Sequence, residues 1–356
     1  MSRSNRRVFL GAAAAAGTLA FVRPVHSQPP ANDKPLKMGI IGVGWYGMVD
    51  AKAALKVGGV EVTAVCDVDS EHLDQSVAEL DKLQGKKPQT FKLYTEMLEK
   101  ADLDVVVIAT PPHWHALQLI ACLERGLDVY AEKPLAYDVR EGRALVDTTT
   151  RYGTVHQTGH QRRSVGSYAF QVEMARNGKI GQVHTVICQV WEGPTVGLDK
   201  PRPVPAGFDY DMWLGPTAWH PYTDAYVNGW NYFWDTGAGP VIGMGCHYTD
   251  IAQWGLLRDD TGPVSYEGRA TWKADAYSDT PVTADCTCTY ADGVKIVLRS
   301  SGAFQDRYIR FVGSEGWVQV DDETNAVTAE PKGVQRLTVL RRPATSRRPR
   351  IRGSVR

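Results

Sequence analysis

Leu36-Lys37-Met38-Gly39-Ile40-Ile41-Gly42-Val43-Gly44-Trp45-Tyr46-Gly47 is the stretch whose pattern decides the fold. Its first six residues are apolar enough for a buried strand. The glycine-spaced turn that follows opens onto a helix-like stretch reaching about Val57. Val60 to Cys66 is a second β-branched run, and it ends at Asp67, twenty residues beyond Gly47. GxGxxG spacing alone is weak evidence. Set between a strand and a helix, with an acid at that separation, it becomes the full dinucleotide-binding fingerprint. Gly42 permits the tight turn, Gly44 lets backbone approach a pyrophosphate, and Gly47 lets helix pack on strand. The helix start, at Trp45 and Tyr46, offers unpaired N–H groups to the phosphates. Asp67 is expected to take the adenosine ribose hydroxyls. With Asp69 it would repel a 2′-phosphate, so NAD is expected over NADP.

The alternation continues outward from this unit. Asp104 to Ala109 has the composition of a buried parallel strand, followed by a helix from about His113 to Arg125. Leu127 to Ala131 is the next strand; a helix begins near Asp138, and Thr154 to Thr158 closes the rhythm. A helical Tyr168–Asn177 then precedes long strand-like runs: Gly181–Trp191, Val264–Lys273, Val282–Tyr290, Val294–Ser300, Tyr308–Val312 and Trp317–Val320. Turn signals such as Ala291-Asp292-Gly293 separate them. The expected fold class is α/β. An N-terminal Rossmann dinucleotide-binding domain covers 36–155, and a C-terminal α+β domain with an open, mostly antiparallel sheet covers 156–335. Two domains suit a chain of 356 residues.

Net charge is zero, from 40 basic and 40 acidic residues, but it is unevenly spread. Residues 1–27 carry four Arg and no acid, and residues 341–356 carry seven Arg and no acid. The body between them is therefore acidic, which speaks against a nucleic-acid partner. Ser4-Asn5-Arg6-Arg7-Val8-Phe9-Leu10 is followed by a small-residue apolar run from Gly11 to Val22. That run is shorter than the ~20 residues of a membrane helix and has the anatomy of a bacterial export signal. Arg6-Arg7 before Phe9-Leu10 resembles the twin-arginine (Tat) signal, which implies the Tat export machinery as a partner and a periplasmic or otherwise exported protein. A signal over 1–27 and a linker over 28–35 are expected, with cleavage after Ser27. Residues 336–356 lack apolar periodicity and are expected to be a disordered basic tail or a truncated end. The six cysteines are scattered without a disulfide rhythm. Cys286 and Cys288 would share one face of a strand, and no metal site is expected.

Four further segments narrow the class. Ala109-Thr110-Pro111-Pro112-His113-Trp114-His115 sits at a strand's carboxyl end, where such sheets bind ligands. Ala131-Glu132-Lys133-Pro134-Leu135 ends the next strand, and Asp211-Met212-Trp213-Leu214-Gly215-Pro216 lies in the second domain. The last runs from Gly237 through Gly243 and His247 to Asp250 and Trp254. With the glycine fingerprint, these segments resemble the Gfo/Idh/MocA family of oxidoreductases over about 36–320. The resemblance implies a nicotinamide cofactor and oxidation or reduction of a hydroxyl of a sugar, inositol or related polyol. It implies that Lys133 sits beside the nicotinamide and bonds the reacting oxygen, and that His247 is the general acid/base. Thr110, Pro111 and His115 would line the cofactor, with Glu132 nearby. Family members often form oligomers through the C-terminal sheet, so a homo-oligomer is expected.

The chemistry is sound on its own terms. Hydride leaves a carbinol carbon only as its hydroxyl proton is removed, and a histidine suits that transfer near neutral pH. A Lys ammonium steadies the developing alkoxide. There is one departure: many family members place an Asp four residues before the histidine, where this chain has Gly243. Asp250, at i+3 from His247, lies on the same helical face and is the available orienting group. His160 ends a strand near the expected cleft, and Arg162 could bind an acidic substrate group. Trp213 belongs to an aromatic cluster that suits stacking on sugar rings. An exported protein cannot exchange free NAD, so a tightly carried cofactor is expected. Redox-neutral glycoside cleavage through a 3-keto sugar is an alternative, as is a non-catalytic NAD- or sugar-binding protein.

Overall fold

The computed structural model describes residues 34–193, 199–274, 276 and 278–331. The expected signal over 1–27, most of the linker and the basic tail over 336–356 lie outside the described residues. The first sheet is built from β1 (Leu36–Ile41), β2 (Val60–Cys66), β3 (Gln89–Phe91), β4 (Val105–Ile108), β5 (Asp128–Ala131) and β6 (His156–Thr158). All its pairings are parallel, and the spatial order is β3-β2-β1-β4-β5-β6. Five helices connect the strands: α1 (Trp45–Val57), α2 (Ser70–Gln84), α3 (Tyr94–Lys100), α4 (Pro112–Glu124) and α5 (Val139–Tyr152). The near-continuous apolar runs of β1 and β4 follow from burial on both faces: Ile40, Val106 and Ile108 are fully buried. The order reverses between β1 and β4, which opens a crevice at their carboxyl ends.

Residues 68–103, for which the sequence pattern predicts no element, form α2, β3 and α3. Asp69 caps α2 by accepting from the Glu71 N–H at 2.9 Å, so it serves the helix as well as carrying charge.

The second sheet is built from β7 (Val183–Val190), β8 (Ser265–Thr271), β9 (Thr283–Thr289), β10 (Lys295–Ser300), β11 (Tyr308–Gly313), β12 (Gly316–Asp321) and β13 (Val327–Glu330). Its order is β13-β12-β11-β7-β10-β9-β8, and β7–β10 is the one parallel pair among the described strands of this second sheet. The expected fold class is thus observed: a Rossmann domain followed by a mostly antiparallel open sheet. Helices α6 (Gly166–Arg176) and α10 (Gly245–Leu256) cover one face, between them the short α7 (Tyr210–Leu214), α8 (Asp224–Asn228) and α9 (Gly239–Gly243). Strand β11 alternates as a half-covered strand should, with Ile309 and Phe311 buried under the two helices. Inside α6, the buried Gln171 donates to the Ile309 and Val318 carbonyls, at 2.6 and 3.0 Å.

A buried ionic cluster ties the first turn after β6 to the end of β12. Arg162 forks onto Asp322 at 2.8 and 2.9 Å, and the Tyr168 hydroxyl adds a third bond to the same carboxylate at 2.5 Å. Burial alone would raise the Asp322 pKa, but Arg162 and Tyr168 outweigh it and hold the carboxyl below its ordinary value. A lowered carboxyl pKa contributes stability above the ordinary carboxylate range and loses it as pH falls through the lowered value. Asp322→Ala leaves Arg162 buried without its partner and is expected to cost about 3–5 kcal/mol in urea denaturation at pH 7. An unchanged unfolding midpoint would show that the cluster does not hold the two elements together.

Candidate active site

The cleft lies where the sheet order reverses. It encloses about 470 Å³, and Gly44, Trp45, Tyr46, Asp67, Thr110 and Pro111 are among its lining residues. Gly42 sits at φ +86°, a conformation that favours glycine, and a Cβ there would press on the Ala109–Thr110 backbone at 2.9 Å. A Cβ on Gly47 would collide with the Gly42 carbonyl oxygen. Helix α1 starts without a side-chain cap and without an acid in its first turn, so its leading N–H groups remain available to an anion. Asp67 accepts the Val43 N–H at 2.9 Å and the Asp69 N–H at 3.0 Å. Each carboxylate oxygen keeps a further acceptor site for a ribose hydroxyl. His72 stands 3.7 Å from Asp67, and that interaction raises its pKa. An uncapped helix start, a glycine turn with no room for side chains and an acceptor at the end of β2 fit a dinucleotide.

The second half of the site is built around Lys133. Lys133 follows β5, and its Nζ donates to the Gly243 carbonyl at 3.0 Å, across to the junction of α9 and α10. His247, one turn into α10, is 2% exposed, and its Nδ1 is buried without a partner. Its ring stands 5.8 Å from that of His160, at 83° between planes. Burial, then the charges of Lys133 and Arg162, push the His247 pKa down to about 2. The imidazole is therefore neutral at physiological pH. Glu132 lies behind Lys133, 5% exposed, with its pKa raised by burial. Burial, with Glu132 adding to it, pushes Asp50 up to about 7.

Gly42, Gly44, Trp45, Tyr46, Asp67, Thr110 and Pro111 face one cleft, and Gly47 packs directly beneath the turn. Lys133, His247 and His160 group on the second-domain side. Five expectations need correction. His115 does not line the cleft: it is 1% exposed, held between the Pro134 and Thr110 carbonyls at 2.7 Å each. Burial keeps its pKa low, so the ring donates to one carbonyl at a time and braces both strand-end loops. Glu132 is likewise covered, beneath Tyr130 and Gly159. Trp213 lines the dinucleotide cleft rather than a sugar pocket. Its segment is stitched over the first sheet by Asp209 N to Val68 O and Ser70 N to Gly207 O, at 2.9 and 3.0 Å. Arg162 is committed to Asp322. Asp250 does not orient His247, because Arg163 takes both its oxygens at 2.6 and 2.7 Å, and it lies 3.9 Å from His160.

Sequence patterning missed three contributors. Gln118 accepts from the Thr110 hydroxyl at 2.7 Å, and Trp114 donates to the Trp213 carbonyl at 3.1 Å. Asn231, in the 3₁₀ turn Trp230–Tyr232, packs against Gly243. No spacing marks these residues; the i+4 step from Trp114 to Gln118 on α4 is the nearest signal.

Fold and cleft together define a dinucleotide-binding oxidoreductase scaffold. Residues 36–160 match the oxidoreductase family with an NAD-binding Rossmann fold, and residues 182–331 match that family's C-terminal alpha/beta domain. The chain belongs to the Gfo/Idh/MocA family. It is 34% identical over 169 residues to a glycosyl hydrolase family 109 protein of Shewanella pealeana, covering 41% of this chain and 37% of that protein. The chain thus matches well under half the length of that relative. It is 26% identical over 257 residues to the rhizopine catabolism protein MocA of Rhizobium meliloti, covering 72% of this chain and 68% of that one. The myo-inositol 2-dehydrogenase structure from Lactobacillus plantarum superposes with a TM-score of 0.63 at 23% identity, covering 81% and 77% of the two chains. That likeness is one of fold.

Gly47→Ala places a methyl against the Gly42 carbonyl and so displaces the phosphate-facing turn. Affinity for NADH, read by tryptophan fluorescence quenching, is expected to fall about tenfold or more, with unchanged circular dichroism. Wild-type affinity in this variant would place the pyrophosphate elsewhere.

Proposed function

We propose that the protein is an exported, nicotinamide-dependent oxidoreductase that acts on a hydroxyl or carbonyl of a sugar, glycoside or polyol, using tightly bound NAD. The observation that carries this is the neutral His247 ring beside the Lys133 ammonium, in a chain whose first domain offers a cleft that fits a dinucleotide. The α1 start, Gly44, Asp67 and Thr110 would hold the cofactor. When bound, the nicotinamide supplies the hydride acceptor or donor. His247 accepts the proton of the reacting hydroxyl, and its burial keeps water from competing for it. Lys133 spends one donor on Gly243 and keeps two for the oxygen on which charge develops. NAD is favoured over NADP because Asp67 would repel a 2′-phosphate. Lys92 at the cleft is paired with Asp209 at 2.6 Å.

The Arg-Arg motif near the N-terminus motivates the Tat-exported location, and the scarcity of free NAD outside the cytoplasm motivates the carried cofactor. An assembly of copies through the open sheet belongs to the same proposal. A second reading, redox-neutral glycoside cleavage, is favoured by the similarity to the glycosyl hydrolase family 109 protein. Oxidation at C3 of the sugar acidifies the adjacent C–H, elimination expels the aglycone, and water addition with ring reduction restores both cofactor and sugar.

Protein purified without added cofactor is expected to carry nicotinamide detectable by mass spectrometry. A panel of myo-inositol, simple hexoses and p-nitrophenyl glycosides separates the readings: net absorbance change at 340 nm marks a dehydrogenase, and nitrophenol release without it marks the cleavage route. Lys133→Ala should lower turnover on the order of 10²–10³-fold while retaining NAD. Retained turnover would remove Lys133 from the chemistry. Only the neutral imidazole accepts a proton, and the lowered His247 pKa preserves that form as pH falls. Accordingly, kcat/KM for oxidation is expected to show no histidine inflection between pH 8 and 5; one near ~6.5 would mean a solvated ring.

A further inference from the structure

Gly243 is the residue whose carbonyl holds Lys133, and the space its side chain would occupy is not empty. A Cβ built on Gly243 would stand 2.5 Å from one terminal atom of the Asn231 carboxamide and 3.2 Å from the other. A second glycine makes room for the backbone of the same turn. A Cβ on Gly237 would run into the Asn231 Cα and the Trp230 carbonyl. Two glycines six residues apart therefore make room for one asparagine. The turn that carries it is braced: the Thr236 hydroxyl donates to the Trp230 carbonyl at 2.6 Å and the Thr280 hydroxyl to the Tyr232 carbonyl at 3.0 Å. Trp230, immediately before Asn231, lines the dinucleotide cleft.

Asn231 is thus held between the cofactor cleft and the Lys133–Gly243 contact. It is half-buried, and among the described residues its amide makes no hydrogen bond. A carboxamide is neutral and presents both donors and an acceptor, as a hydroxyl group does. A carboxylate in the same place would add negative charge beside His247 and pair with Lys133; the amide leaves that ammonium for the reacting oxygen. We propose that Asn231 is a substrate-binding residue, whose carboxamide hydrogen-bonds a hydroxyl of a sugar or polyol neighbouring the one that reacts. This rests on the proposed function above and adds the group that selects a polyhydroxyl substrate.

The test measures sugar binding and turnover separately, on the NAD-loaded full chain. myo-Inositol, glucose and p-nitrophenyl glycosides are titrated by saturation-transfer NMR, with 340 nm absorbance and nitrophenol release recorded in parallel. Asn231→Ala and Asn231→Asp are both expected to weaken binding of the preferred compound about tenfold, with NADH affinity unchanged. Gly243→Ala, which presses a methyl on the amide, should give the same loss. Adding Asn231→Ala to Gly243→Ala removes the clash, so it should raise the melting temperature above that of Gly243→Ala alone without restoring sugar binding. The isosteric Asp variant guards against a folding defect, which would show in circular dichroism. Wild-type sugar affinity in folded Asn231→Ala and Asn231→Asp overturns the proposal. Weakened binding in a protein that never changes absorbance or releases nitrophenol sustains Asn231 and sinks the catalytic reading instead. A wild type that binds none of the compounds overturns both.

Discussion

The hydrogen bond from Lys133 Nζ to the Gly243 carbonyl is the constraint on which the site depends. It joins the loop after β5, in the parallel sheet, to the end of α9, in the second domain. One end of this bond is a cation, so it is stronger than a neutral pair and better able to fix the distance between two domains. It also fixes the electrostatics. The ammonium is held near enough to His247 to press that ring's pKa down further than burial does alone. One contact thereby sets a cation beside a ring that stays neutral.

The surroundings of that contact explain why nearby charges are paired off. Arg162 is bound by Asp322, Arg163 by Asp250, and Lys92 by Asp209. Each pairing removes a competing cation from the cleft without removing its field. Arg162, although neutralised at short range, still contributes to lowering His247. The two carboxyls behind Lys133, Glu132 and Asp50, are both pushed toward their protonated forms by burial. A fully ionised pair there would offer Lys133 a stronger partner than the Gly243 carbonyl.

Local elements were legible where a backbone geometry demands a residue type. Gly42 at positive φ and Gly47 against the Gly42 carbonyl leave no alternative to glycine, so their spacing marks strand, turn and helix together. The buried runs of β1 and β4 were equally plain, because two covered faces permit only apolar side chains. Side-chain partners were not legible. Arg162 and Asp322 lie 160 residues apart, and an arginine looks the same in sequence whether it faces a substrate or a buried carboxylate. The crossing of residues 207–213 over the first sheet moved Trp213 from the expected sugar pocket to the cofactor cleft. Helical spacing suggested Asp250 as a group to orient His247, but Arg163, brought from another element, holds both its oxygens.

Gly243 shows why a departure from a family pattern has to be interpreted in three dimensions. In sequence it is a lost carboxylate, and the natural inference is a weakened site. In the fold, the missing side chain is the condition for Asn231 to reach the same space, and Gly237 is a second condition for it. Either glycine could be replaced only if the turn moved, and that turn is held by Thr236 and Thr280. The exchange changes the charge at that position while keeping a polar group there. With no carboxylate at position 243, Lys133 takes the Gly243 carbonyl as its hydrogen-bond acceptor there.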